Sequence, residues 1–108
     1  MTHEEAYQYC YDLNARLIEV YSEEQMLQLD VILDHEGSFA YWMGGTDMFH
    51  EGSWIWGNSG LPVQEFIWDI NRPYNDSTEN CLLWDGTYDC GHDWYCTSEF
   101  YPLCQIVI

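Results

Sequence analysis

Five cysteines, Cys10, Cys81, Cys90, Cys96 and Cys104, constrain this 108-residue chain more than any other feature. None belongs to a Cys-x-x-Cys pair and the spacing is not that of a zinc finger, so they read as a disulfide framework and not as a metal centre. Such frameworks persist in oxidising compartments, which makes the expected location secreted and extracellular. A chain this short buries only a small core, so residues 1–108 are read as a single domain that depends on its staples. The count is odd, which leaves one thiol either free or paired outside the chain.

Charge narrows the partners. Nineteen acidic residues face only Arg16 and Arg72, with no lysine, for a formal net charge of -17. No cationic surface is available to displace counterions, so nucleic acid is excluded as a partner. Such acidity suits cation binding, a basic partner or plain solubility. No apolar run approaches the roughly 20 residues of a membrane span, so membrane insertion is not expected. A signal peptide is also missing, and since the cysteines call for secretion, the first residue is expected not to be the mature protein's start.

Two amphipathic helices are expected first. Each opens on a capping box, Thr2 with Glu5 and Ser22 with Gln25. In the first, Ala6, Tyr7, Cys10 and Leu13 recur at helical spacing and turn Cys10 inward, with Asn14 as the stop. The second runs over 23–34 with Met26, Leu29, Ile32 and Leu33 inward and Gly37 beyond its end. From Phe39 onward short aromatic runs alternate with Gly, Pro, Asn and Asp, which predicts strands at 40–44, 53–56, 81–84, 93–96 and 101–108. Between Trp56 and Cys81 lies a long loop, and loops of that length inside a compact domain are usually functional.

In this order, Thr2-His-Glu-Glu-Ala-Tyr-Gln-Tyr-Cys10, Ala15-Arg-Leu-Ile18, Trp42-Met-Gly-Gly45, Thr46-Asp47 and Glu51-Gly-Ser-Trp-Ile-Trp56 resemble a C-type lectin-like domain of the secreted, arthropod type. Trp68, Arg72-Pro-Tyr74, Glu79-Asn-Cys81, Cys96 and Pro102-Leu-Cys104 extend the resemblance over essentially the whole chain. It implies an α+β fold, with two helices flanking two small antiparallel sheets and a long irregular loop that carries ligand and calcium. It also implies disulfides Cys10–Cys104 and Cys81–Cys96, leaving Cys90 over for a partner elsewhere or as a free thiol. The family's domain begins with a strand before the first helix, so the chain is expected to be truncated there, with the edge at 105–108 open to another chain.

Family members that bind sugar hold a loop calcium with a Glu-Pro-Asn or Gln-Pro-Asp tripeptide, a later Glu and an Asn-Asp pair. The matching positions here are Arg72-Pro73-Tyr74, Glu79 and His92-Asp93, which the resemblance makes the candidate ligand-binding residues. Only Glu79 and Asp93 retain an expected oxygen ligand, and calcium needs six to eight. A guanidinium about 6 Å from a divalent cation is repelled by roughly 5 kcal/mol at an effective dielectric near 20, unless Arg72 swings out to solvent. Arg72 is then either a surface ion-pair partner or a direct contact to an anionic ligand. A second calcium position keeps Asp47, Glu51, Asn75, Glu79 and Asn80, although Asp47 and Glu51 can equally cap a turn. Asn75-Asp76-Ser77 is a glycosylation sequon, and a glycan there would exclude Asn75 as a ligand.

Trp42, Trp54, Trp56 and Trp68 read as core, leaving Tyr74 and Trp94 as sugar-stacking candidates. The leading function is a secreted recognition module that binds a glycan or glycoprotein. The alternative is calcium-independent recognition of a protein or an ordered surface by a domain that has lost sugar binding. Catalysis is not expected: His3, His35, His50 and His92 form no metalloprotease motif, and there is no serine elbow. Cys90 with His92 could only make an isolated nucleophile and base, or a zinc site with Cys81 and Cys96 at the expense of their disulfide.

Overall fold

The computed structural model describes residues 1–34 and 39–106. Gly37, expected just past the second helix, and residues 107–108 of the last expected strand lie outside them. The first helix, α1, covers His3–Asp12 and starts on the expected capping box. Thr2 N–H donates to Glu5 Oε1 (2.9 Å) and Glu5 N–H to Thr2 Oγ1 (3.3 Å), satisfying two otherwise orphaned donors. Ala6 and Cys10 are buried as expected, but Leu13 is exposed. Leu13 is the C-cap, past the last helical turn, and the chain leaves it through Asn14 at φ 58°.

A short strand not expected from the sequence, β1 (Ala15–Leu17), follows. Helix α2 (Glu23–Asp34) then starts on Ser22 Oγ, which accepts from Gln25 N–H (3.2 Å). Gln25 Oε1 reaches back one residue further than expected, to Tyr21 N–H (2.8 Å). Met26, Leu29 and Leu33 form its buried stripe, whereas Ile32 is exposed. At roughly 100° per residue Ile32 lies about a quarter of a turn off that stripe.

The larger sheet contains β2 (Ala40–Thr46), β3 (Ile55–Trp56), β4 (Cys81–Asp85), β5 (Cys90–Trp94) and β6 (Tyr101–Pro102). Its order is β3-β2-β4-β5, with β6 running parallel to β2. Because successive strand residues face opposite sides, Trp42, Cys81 and Leu83 pack toward α1 with Ala6, Cys10 and Leu17. Met43, Leu82 and Trp84 pack on the other side with Val20, Trp54, Trp56, Ile67 and the α2 stripe. Both faces are therefore covered, which explains why β4 reads as an unbroken apolar run. Trp42, Trp54 and Trp56 are buried as expected and Trp68 only partly; Trp84 is fully buried as well.

Two expected strands are corrected. The one drawn at 93–96 lies at Cys90–Trp94, because the hairpin from Asp85 closes at once on Cys90 and Cys81 pairs with Trp94. Cys96 thus sits beyond the ladder, free to reach Cys81. The strand drawn at 101–108 is split at Leu103. There Leu103 N–H donates to Trp42 O (3.1 Å) and its carbonyl accepts from Ile18 N–H (2.8 Å), passing the chain from one sheet to the other. The second part, β7 (Cys104–Ile106), pairs with β1 in a two-stranded sheet. One edge of the segment expected to be open is therefore covered by β1; its other edge has no partner strand among the described residues.

Both implied disulfides are present, Cys10–Cys104 across 94 residues and Cys81–Cys96 across 15. Loops of these lengths correspond to about 4–5 and 3 kcal/mol of lost unfolded-state entropy, against a stability of order 5–15 kcal/mol for a whole domain. Excess reductant should therefore lower the melting temperature steeply or abolish the transition; an unchanged melt with both pairs demonstrably open would contradict this.

Candidate functional site

The long loop is pinned to the sheet before it reaches the residues of interest. A 3-10 turn (Glu65–Ile67) lies over β5, where a side chain at Gly91 would meet Ile67 O at 2.9 Å. Trp68 bridges to Gly91, and Asp69 N–H donates to Gly91 O (3.0 Å). Arg72 N–H then donates to Asp69 O (3.0 Å), closing a turn that directs Arg72 back toward the end of β5. Asn71 (φ 68°) and Asn75 (φ 55°) take left-handed conformations on either side of the cis Arg72–Pro73 bond, a conformation asparagine tolerates better than most residues.

Arg72 does not swing out to solvent. Its Nη1 donates to Asp93 Oδ1 (3.0 Å) and Asp93 O (3.1 Å), and lies 3.8 Å from Glu79 Oε2. Asp93 Oδ2 accepts from Tyr74 N–H (2.8 Å). The Asp93 carboxylate, with no exposed surface, thus has both oxygens occupied by the loop. The guanidinium carbon lies 3.8 Å from the centroid of the exposed Tyr74 ring, a cation-π contact. Burial pushes the Glu79 carboxyl above the usual carboxylate range and the charge of Asp93 adds to this, against the opposing pull of Arg72. Arg72, Tyr74, Glu79 and Asp93 are therefore brought together, with a guanidinium among the oxygens that the resemblance assigns to calcium. Trp94, the other stacking candidate, is half-buried against Tyr95.

His92, expected in the same cluster, is elsewhere. Its neighbour Asp93 points to the opposite side of β5, and the imidazole lies between Asp69 Oδ2 (2.8 Å from Nε2) and Asp85 Oδ2 (3.2 Å from Nδ1). Cys90 shares that side. Burial, then the carboxylates of Asp69, Asp85 and Asp89, push its thiol up to about 12, which leaves it protonated and a poor nucleophile at neutral pH. Neither Asp69 nor Asp85 is singled out by the sequence reading; the only signal was the Cys90-x-His92 spacing, which puts two donors on one face of a strand.

The second oxygen set lies where β2 ends. Asp47 is buried; its Oδ2 accepts from Gly52 N–H (3.0 Å), whereas Oδ1 has no hydrogen-bond partner. Glu51 is exposed beside it, and its carboxyl is pushed above the usual range by a hydrogen bond to Asp47, then by desolvation and the Asp47 charge. Asn80 O accepts from Asp47 N–H (3.2 Å) and from Thr46 Oγ1 (2.7 Å), so Asn80 adjoins Asp47 through its backbone, while its amide donates to Ser77 O (2.8 Å). Asn75 is exposed and its Oδ1 accepts from Trp54 Nε1 (3.4 Å). A buried carboxylate oxygen without a hydrogen-bond partner is the kind of ligand a hard cation such as calcium takes, but among the described residues Asp47, Glu51 and Glu79 do not gather into a group of three carboxylates. A pocket of about 440 Å3 has a lining that includes Trp54, Trp68, Asp69, Arg72 and Asn75.

Known proteins resemble this chain in sequence and in fold. Perlucin-like protein from Mytilus galloprovincialis is 32% identical over 87 residues, 79% of this chain and 50% of that protein. CD209 antigen-like protein C from Mus musculus is 31% identical over 98 residues, 89% of this chain and 53% of that protein. The chain thus spans about half the length of these two relatives. Among solved structures, a calcium-independent type II antifreeze protein superposes with a TM-score of 0.82 at 25% identity, covering 96% of this chain and 77% of that one. The carbohydrate-recognition domain of mouse scavenger receptor C-type lectin gives 0.83 at 26%, covering 95% and 78%. The Lectin C-type domain family matches residues 1–106, and the chain belongs to that family.

Proposed function

We propose that this chain is a secreted, extracellular recognition module whose long loop engages a glycan or glycoprotein without a calcium ion at the sugar position. The observation that carries the reading is the Arg72 guanidinium hydrogen-bonded to the buried Asp93 and 3.8 Å from Glu79. It neutralises the two carboxylates that would ligate the ion, and a divalent cation brought to about 6 Å would meet a repulsion of roughly 5 kcal/mol. Tyr74 then presents its outer ring face to ligand while Arg72 holds the inner one. The adjoining pocket is lined in part by Glu65, Asp69, Arg72 and Asn75, polar groups able to hydrogen-bond sugar hydroxyls.

Similarity to a calcium-independent antifreeze protein supports a second reading, recognition of a protein or an ordered surface through the same loop. A glycan array read with and without chelator separates the two. The parent should bind glycans equally in both conditions, and silence in both favours the second reading. Arg72→Glu with Tyr74→Asn should create a chelator-sensitive sugar affinity. A parent that bound mannose or galactose reversibly with chelator would refute the calcium-free reading.

Calcium, in this account, acts on stability through Asp47, Glu51, Asn75 and Asn80, Glu79 being already engaged by Arg72. Binding to the folded state alone should add about 2.7 kcal/mol at a hundredfold excess over the dissociation constant. Thermal melts should show that shift in the parent and not in Asp47→Asn, and a shift of equal size in both would rule the site out.

A further inference from the structure

The face of β5 that points away from Arg72 carries a second cluster of different chemistry. Asp69 Oδ, Cys90 Sγ and the His92 ring nitrogens supply one ligand atom each, all within 4.8 Å of one another. The fold builds this proximity from two directions. Cys90 and His92 stand two residues apart on one face of β5, and Asp85, in register with Cys90 across the hairpin, reaches His92 Nδ1 at 3.2 Å. Asp69 comes from the long loop, tied by its backbone to Gly91, and places Oδ2 2.8 Å from His92 Nε2. Cys81 and Cys96 are closed into a disulfide, so Cys90 is the free cysteine of the chain and the cluster forms without opening either bridge.

We propose that Asp69, Cys90 and His92 form a binding site for a borderline-soft divalent cation of the zinc class, with Asp85 as the positioning residue for the imidazole. Thiolate, imidazole and carboxylate together are a zinc-type donor set, whereas calcium demands oxygens only. Nε2 bonds the metal while Nδ1 lies 3.2 Å from the Asp85 carboxylate, placed for the carboxylate–histidine–metal arrangement that orients ligating histidines. On binding, the Sγ–metal bond forms and the thiol proton leaves to solvent. Three protein ligands leave one position of a tetrahedral site for water. Charge favours a cation here as well: Asp69, Asp85 and Asp89 surround the thiol, and neither arginine compensates them, Arg16 being bonded to Gln105 and Arg72 committed to Asp93 and Glu79. Cys90 is by this account a ligand rather than a link to a second chain.

The test uses the intact oxidised domain titrated with cobalt as a spectroscopic stand-in for zinc. One equivalent should produce a thiolate-to-cobalt charge-transfer band in the near ultraviolet, which zinc should displace and calcium should not. Cys90→Ser should lose the band with an unchanged melting temperature in the absence of metal, and Asp85→Asn should weaken zinc binding by about 10- to 100-fold while keeping the band. If Cys90→Ser destabilises the fold, the parent's band remains the deciding readout. Absence of the band in the parent, or zinc affinity unchanged in a folded Cys90→Ser, would overturn the proposal.

Discussion

The loop that carries the candidate site is organised around one buried charge. Asp93 has no exposed surface, and an ionised carboxylate cannot stay so deep without partners. It takes two: the Arg72 guanidinium on Oδ1 and the Tyr74 amide on Oδ2. Both donors come from one short stretch of loop, so satisfying Asp93 also sets where that stretch lies and which way Tyr74 faces. Breaking such a pair from one side strands the other charge, at a cost of roughly 3–5 kcal/mol. The ion pair is thus as much the architecture of the loop as a feature of its surface.

The sheet makes two sites from one strand. Alternation along β5 sends Asp93 to the Arg72 cluster and Cys90 with His92 to the other side, with Gly91 between them leaving room for the 3-10 turn above. Asp69 and Arg72 lie three residues apart in the loop and serve opposite faces. A strand buried on both sides and braced by the Cys81–Cys96 disulfide next to it is rigid enough to hold both arrangements.

Much of the fold was legible because its signals are local. Capping boxes marked both helix starts, and the Met26, Leu29 and Leu33 spacing marked the buried face of α2, though Ile32 was assigned to it wrongly. Strand β1 was missed because three residues with Arg16 in the middle carry no periodicity; only β7, nearly ninety residues on, makes them a strand. The split at Leu103 and the placement of β5 at Cys90–Trp94 were likewise decided by hydrogen bonds between distant segments. For the site, residue identity was enough to see that Arg72 replaces a carboxylate, but not that it folds inward onto Asp93. Separating His92 from Asp93 required knowing that both sit in a strand, and nothing local ties Asp69 to Cys90.

The central claim, that an internal guanidinium takes the place of the loop cation, is tested most directly by following the Arg72 side-chain resonances by NMR during a calcium titration. The account predicts that the guanidinium N–H signals stay slowly exchanging and keep their contacts to the Tyr74 ring at saturating calcium, whatever happens near Asp47. Release of Arg72 to solvent, with loss of the Tyr74 contacts as calcium binds, would contradict it.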